Sequence, residues 1–171
     1  MTRKASRSRD WTEYALSAIF TPLLFLLIII TFFIYNNSLG IDPLAYLGLV
    51  LWGMSAVLGI VPIFTFRKHG GVADGESYMR TTKLVDVGIY SIVRHPQATA
   101  GLVLVIALVL ISQHPISLLL ATVTFATMYA DIVRDDRSLV DRFGPEYGEY
   151  MERVPRTNFL LGIARRLSRR E

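Results

Sequence analysis

Two short polar blocks contain the side chains of this 171-residue chain that could do chemistry. The first ends in Arg94-His95-Pro96, and the second begins with Asp135-Asp136. Carboxylates accept hydrogen bonds from amino groups and hydroxyls, whereas an arginine or a histidine can bind a carboxylate. The two blocks together could therefore hold a ligand that carries both kinds of group. If a reacting group had to lose a proton, His95 or an acidic residue would be the nearest general base.

Several other kinds of site are excluded by composition. The chain contains no cysteine, so it has no disulfide, thiolate nucleophile or zinc-thiolate site. His69 and His114 have no second ligand at a suitable spacing, and we expect no metal site. The net charge of +4 is modest, and we expect no separate soluble domain that could present a basic surface. These features argue against a nucleic-acid binder.

Long apolar runs place both blocks beside a membrane. The chain is 52% hydrophobic and 19% charged, whereas a soluble domain carries roughly a quarter charged residues. Residues 15–35 and 44–66 are each long enough to cross about 30 Å of hydrocarbon as a helix. Residues 98–112 and 116–130 are shorter and need helical flanks, which Pro96 and Pro115 would start. The expected fold class is an all-α integral membrane bundle of four transmembrane helices with a C-terminal cytoplasmic helical segment.

Basic residues predict the orientation of these helices. Of the 18 lysines and arginines, four lie in the N-terminal tail, five in residues 67–97 and nine from Arg134 onward. The positive-inside bias then places both termini and the middle connection in the cytoplasm. We expect one membrane domain, in which residues 1–66 form two spans, 67–97 a cytoplasmic connector, 98–156 the hairpin and second motif, and 157–171 a basic amphipathic tail. The tail is expected to lie on an anionic leaflet.

The segment after the fourth run predicts a sharp change of direction. Phe143-Gly144-Pro145 is typical of a helix stop, with glycine at the end and proline directly after it. Tyr147 and Tyr150 follow. They could be aromatic anchors at the membrane interface or residues of a pocket, and the sequence favours neither interpretation.

A motif extends over both blocks. G-x-Y-x-x-x-R-H-P ends at Pro96, and after a helical hairpin D-D-x-x-L-x-x-x-F-G-x-x-Y-x-x-Y runs from Asp135 to Tyr150, followed by Val154-Pro155-Arg156. In this order and at this separation, the blocks resemble the isoprenylcysteine carboxyl methyltransferase family and its phospholipid methyltransferase relatives. The resemblance covers about residues 83–156.

The resemblance implies an integral membrane enzyme that transfers a methyl group from S-adenosylmethionine to a lipophilic acceptor at the cytoplasmic face. Such an enzyme would use the bilayer and a lipophilic acceptor as partners, with no nucleic acid and no metal. A carboxylate acceptor, as in an isoprenylcysteine-like lipid, would need a fixed cation. The candidate catalytic residues are Arg134, Arg94 and Arg156. Carried over by position, the candidate cofactor-binding residues are Leu84, Val85, Tyr90, His95, Pro96, Asp135 and Asp136.

The chain departs from the family pattern at several positions. Ala98 and Ala100 stand where tyrosine and glycine are usual, and Asp135-Asp136 replaces a pair of glutamates. Alternative functions are a phospholipid or small-amine N-methyltransferase, or a non-catalytic membrane protein that retains the scaffold.

Overall fold

The computed structural model describes residues 12–71 and 83–168. These ranges are mostly helical and contain no strand, which confirms the predicted all-α class. The N-terminal tail, residues 72–82 of the connector and the last three residues of the basic tail lie outside them. The helices are α1 (Thr12–Ile29), continued by a π-helical turn (Ile30–Ile34), α2 (Asp42–His69), a 3-10 turn (Gly88–Ser91), α3 (Pro96–Ser112), α4 (Pro115–Phe143), α5 (Pro145–Arg153) and α6 (Phe159–Ser168).

Three stretches of the described chain are long and apolar enough to cross a membrane, namely Ala15–Ile34, α2 and α4. They coincide with the first, second and fourth predicted spans. α2 and α4, with 28 and 29 residues, exceed the thickness of the hydrocarbon layer, so their polar ends extend beyond it. α3 is shorter, with 17 residues and a length of about 26 Å.

Prolines set the helix boundaries as the sequence predicted. α3 begins at Pro96 and α4 at Pro115, where the missing backbone N–H costs no hydrogen bond. Gln113 turns the chain between them with a left-handed backbone. α4 stops at Phe143, and Gly144 has a φ of +63°, a region that favours glycine. The predicted helix stop is therefore confirmed.

α3 lies between α2 and α4, and α1 packs on α4. At one end of α3, the backbone N–H groups of Asn37 and Ser38 donate to Ile111 O and Ser112 O. The Gln113 side chain both donates to and accepts from the backbone of Ile41. These contacts tie the end of α3 to the connection between α1 and α2. The apolar core consists of Leu27, Leu102, Val105, Leu108, Ala121, Met128 and Ile132.

Small residues bring α2 close to α3. A Cβ built at Gly48 would lie 2.7 Å from Ile111 Cγ1 and 2.8 Å from Ala107 O. Further along the same interface, the buried Ser55 hydroxyl donates to Ala100 O at 2.8 Å. The helix backbones therefore approach closely only because this face of α2 carries small side chains.

We expect Gly48→Ala to destabilise the bundle by about 1–3 kcal/mol, because the added methyl group overpacks this interface. Gly53→Ala is the matched control in the same helix, since a Cβ at Gly53 meets nothing within 4 Å. The control should be neutral or slightly stabilising, as alanine favours a helix. Thermal unfolding of both variants in detergent, followed by circular dichroism, measures the difference. Equal unfolding temperatures for the two would contradict the close approach at Gly48.

Candidate active site

Asp136 is the centre of a polar cluster at the end of α4 where the two sequence blocks meet. Its side chain is 3% exposed. Oδ1 accepts hydrogen bonds from His95 Nε2 and the Tyr147 hydroxyl, both at 2.7 Å. Oδ2 accepts from Arg94 Nη2 at 3.2 Å and from Arg156 Nε at 2.6 Å. A carboxylate offers about four lone-pair positions, so these four donors use its accepting capacity.

Backbone hydrogen bonds hold the two blocks in register. The N–H of Arg94 donates to Pro155 O at 3.0 Å, and the N–H of His95 donates to Arg156 O at 3.2 Å. Pro96 then starts α3, so His95 is fixed at the entrance of that helix. Because the chain reverses at Gly144, the segment after α5 runs back alongside the first block.

Arg94 is a buried cation with unused donors. Its side chain is 6% exposed, and one nitrogen contacts Asp136. Neither Nε nor Nη1 has a hydrogen-bond partner among the residues that the structure describes. Buried N–H groups are almost always paired, because an unpaired one costs roughly 1–3 kcal/mol. Arg94 therefore presents two donors that a ligand acceptor such as a carboxylate would satisfy.

A cavity of ≈ 60 Å³ lies beside Arg94. Three of the predicted cofactor-binding residues, Leu84, Val85 and Tyr90, line it, and the ring of Phe66 stacks on that of Tyr90 with 4.4 Å between their centres. The cavity is therefore mostly apolar, with a cation in its wall. Its remaining lining residues are Lys83, Leu139, Phe143, Tyr147 and Tyr150.

Tyr147 and Tyr150 belong to this pocket. Both rings are buried and meet edge to face, 5.7 Å apart. Burial, together with the hydrogen bond to Asp136, raises the pKa of Tyr147, and burial raises the pKa of Tyr150. Both hydroxyls therefore remain donors, and that of Tyr150 donates to Tyr90 O at 2.6 Å. The interpretation of the two tyrosines as interfacial anchors is wrong, because their rings are not accessible to lipid headgroups.

Arg156 lies at the exposed edge of the cluster, with a side chain that is 30% exposed. Its Nη1 is 3.4 Å from the hydroxyl of Tyr129, and its guanidinium lies 6.0 Å from the centre of that ring. The hydrogen bond to Asp136 raises the pKa of Arg156, which keeps the guanidinium charged. A fixed cation thus faces the outside of the site beside an exposed aromatic residue.

The remaining predicted residues lie around this centre. Asp135 is exposed, and it interacts electrostatically with His95. Arg134 is half-buried and precedes Asp136 by two residues, about 200° around α4, so it faces away from the Asp136 carboxylate. Ala98 is half-buried and packs on the apolar core.

Phe66 and Tyr129 are among the residues of the site that the sequence prediction missed. Phe66 gave no signal, because it ends a continuous apolar run. Tyr129 lies seven residues before Asp136, which corresponds to two turns of α4 and a neighbouring position on its surface. That spacing could have identified it.

Within the described ranges, no group of three or more histidine, aspartate or glutamate side chains could hold a metal ion. The polar cluster is thus an arrangement of hydrogen bonds and ion pairs around one carboxylate.

Comparison with known proteins adds one curated relative, and no solved structure matches the chain. The relative is the nickel-cobalt-cadmium resistance protein NccN of Alcaligenes xylosoxydans xylosoxydans, which is 30% identical over 76 residues. The aligned region covers 44% of this chain and 36% of NccN. The chain therefore spans only about a third of the length of this relative.

The phospholipid methyltransferase family matches residues 43–146, which is more than half of the chain. The match includes α2, where the sequence motifs gave no resemblance, as well as α3, α4 and both members of the Asp135-Asp136 pair. It confirms the superfamily that the motifs indicated. The chain belongs to the phospholipid methyltransferase family of membrane proteins.

Proposed function

We propose that this protein is a membrane-embedded methyltransferase that uses S-adenosylmethionine and acts on a lipophilic acceptor. The observation that carries the proposal is Arg94, a buried guanidinium with two unpaired nitrogens in the wall of a cavity between the two motif blocks. Family membership supports methyl transfer, and the cavity supports a binding site for the methyl donor.

The residues of the cavity fit the amino-acid end of S-adenosylmethionine. That end carries a carboxylate, which would accept a charge-assisted hydrogen bond from one of the two unpaired nitrogens of Arg94, Nε or Nη1. The volume of ≈ 60 Å³ matches a carboxylate and an amino group better than the whole molecule. Leu84, Val85 and Tyr90 would form the walls beside it.

The acidic pair divides into two roles under this proposal. Asp136 is a positioning residue, because its oxygens are already used by His95, Tyr147 and the two arginines. Asp135 is exposed on α4, so its carboxylate remains available to an amino group or a ribose hydroxyl. His95 and Pro96 would fix the backbone at the start of α3 and so hold Arg94 in place.

When bound, S-adenosylmethionine supplies an electrophilic methyl group on a sulfonium. The protein contributes mainly position and a water-poor pocket, because methyl transfer is an in-line displacement. Phe66, Leu84 and Leu139 exclude water from the cavity wall. Asp136 holds the two arginines in fixed orientations.

Arg156 is the residue that we assign to the acceptor. It is the cation at the exposed edge of the cluster, beside Tyr129, where an anionic group of a lipophilic acceptor would approach from the bilayer. A carboxylate, as in an isoprenylcysteine-like lipid, would be bound there without any general base. Arg134, the first candidate from the sequence, lies on another side of α4.

Phospholipid N-methylation is the second candidate function, favoured by the description of the family that the chain matches. An amine acceptor would have to lose a proton, and His95 or Asp135 would be the nearest base. The headgroup phosphate would then occupy the position beside Arg156.

We also propose four membrane crossings with both termini in the cytoplasm. α3 reaches from the connection between α1 and α2 at one end to the Asp136 cluster at the other, so it extends through the same apolar layer of the bundle as its longer neighbours. The described basic residues lie at the cluster end of the bundle, which supports a cytoplasmic location for that end.

Two measurements on the purified full-length protein test the function. Calorimetry with S-adenosylhomocysteine should give saturable heat, and isotopically labelled S-adenosylmethionine should label a lipid-extractable product in reconstituted membranes. Mild base releases the label as methanol from a methyl ester and leaves an N-methyl group intact, which separates the two candidate acceptors. A folded protein that gives no saturable heat would overturn the proposal in favour of a non-catalytic scaffold.

A further inference from the structure

A second cavity, of ≈ 210 Å³, lies where α5, α6 and the 3-10 turn meet, and we call it the arginine pocket. It shares Tyr150 with the candidate active site but not Arg94 or Asp136. Three guanidinium groups line it, against the single carboxylate of Asp86. Its charged lining residues are Asp86, Arg153, Arg165 and Arg166.

Backbone carbonyls hold two of these arginines in place. Arg165 Nη1 donates to Glu152 O and Arg166 Nη1 donates to Gly88 O, each at 3.3 Å. A guanidinium has five N–H donors, so one such bond leaves donors for a ligand. Arg153 faces Asp86 at 3.6 Å, and both of these side chains are nearly half exposed. An exposed pair of this kind contributes little and is readily exchanged for a better anion.

The side of α6 away from the pocket is apolar. Its inner side lies so close to the preceding segment that a Cβ on Gly162 would overlap the carbonyl oxygen of Ile92. On the outer side, Leu160 and Leu167 are 79% and 60% exposed and lie two turns apart on one stripe. A short helix with an exposed leucine stripe and flanking arginines is typical of a helix that lies in a membrane interface.

We propose that the arginine pocket binds a phosphate group, and that this group is the headgroup phosphate of an anionic phospholipid at the membrane surface on which α6 lies. Guanidinium forks match the oxygens of a phosphate, and three of them provide an excess of positive charge. The leucine stripe, on the opposite side of the same helix, enters the acyl region, so the pocket lies on the side of α6 that faces the headgroup layer. The phosphate thereby links α5 and α6 to Ser91, next to Tyr90 in the wall of the active site. The proposal does not depend on methyl transfer.

Native mass spectrometry of the full-length protein, titrated with phosphatidylglycerol and with phosphatidylcholine, tests the pocket. The double variant Arg165→Gln/Arg166→Gln should bind phosphatidylglycerol about tenfold more weakly. Arg137→Gln/Arg142→Gln, which removes the same number of charges from exposed positions of α4 outside the pocket, is the matched control and should leave binding unchanged. Equal binding by the pocket variant and the wild type would overturn the proposal, and so would equal weakening by the control.

The Gln variant could release α6 by losing two backbone contacts, so Arg165→Lys/Arg166→Lys is the second variant. It keeps the charge but loses the planar fork, and it should still bind phosphatidylglycerol more weakly than the wild type. Undiminished binding of phosphatidylglycerol would indicate a general attraction between charges and would overturn the proposal of a specific phosphate site.

Two further measurements separate a lipid from a soluble phosphate. Leu160→Ser/Leu167→Ser leaves the arginines intact and should weaken retention of phosphatidylglycerol, and calorimetry with glycerol phosphate should show no saturation in the micromolar range. Tight binding of glycerol phosphate, with lipid retention unaffected by the serine variant, would overturn the assignment to a lipid headgroup.

Discussion

Replacing Asp136 with asparagine is expected to destabilise the protein by about 3–5 kcal/mol, the usual consequence of removing one partner from a buried ion pair. The substitution preserves size but removes the negative charge that Arg94 and Arg156 share. The new amide NH₂ is a donor, so it cannot accept hydrogen bonds from the groups that now donate to that oxygen of Asp136. Thermal or denaturant unfolding in detergent measures the loss. Affinity for S-adenosylhomocysteine should fall as well, because Arg94 would no longer be held in place.

Asp135→Asn is the matched control, since it makes the same chemical change one residue away on an exposed side chain. Its effect on the free energy of unfolding should stay within about 0.5 kcal/mol. If Asp135 binds an amino group or a hydroxyl of the cofactor, the control variant weakens binding without loss of stability. Equal destabilisation by the two variants would show that the hydrogen bonds and ion pairs of Asp136 add nothing to the free energy of unfolding.

Asp135 and Asp136 illustrate how much of the site could be predicted from the sequence. The motif predicted both aspartates as cofactor ligands, and nothing in the motif distinguishes them. Their positions on α4 do: Met128, Ile132 and Leu139 share a helical face with Asp136, so an acidic residue there must be buried and paired. Asp135 lies about 100° further round the helix and is exposed. Helical periodicity could therefore have assigned the buried role to Asp136.

Other contacts of the site depend on long-range packing that no local pattern contains. The helix ends at Pro96, Pro115 and Gly144 could be predicted, because proline and glycine act through local backbone geometry. The contact between Arg156 and Tyr129, by contrast, exists only because α5 returns the chain to α4 after Gly144. The pairing of the two blocks through Arg94 and His95 likewise involves backbone atoms, which carry no sequence signal.

Replacing Arg94 with lysine is expected to reduce the affinity for S-adenosylhomocysteine about ten- to a hundredfold, the range that corresponds to losing one charge-assisted hydrogen bond or more. Lysine keeps a positive charge near Asp136 but cannot present the additional N–H groups of Nε and Nη1. Calorimetric titration measures the affinity. The same titration with 5′-methylthioadenosine, which lacks the amino-acid end, should show little change.

The difference between the two ligands is the decisive quantity, because it isolates the contact between Arg94 and the carboxylate from any general disturbance of the pocket. Arg137→Lys, an exposed arginine on α4 outside the site, is the control and should leave both affinities unchanged. If Arg94→Lys weakens both ligands equally, Arg94 acts only by holding the Asp136 cluster together, and the unpaired nitrogens are not the carboxylate site. If only S-adenosylhomocysteine is affected, the two unpaired nitrogens of this buried guanidinium are explained by the ligand that they bind.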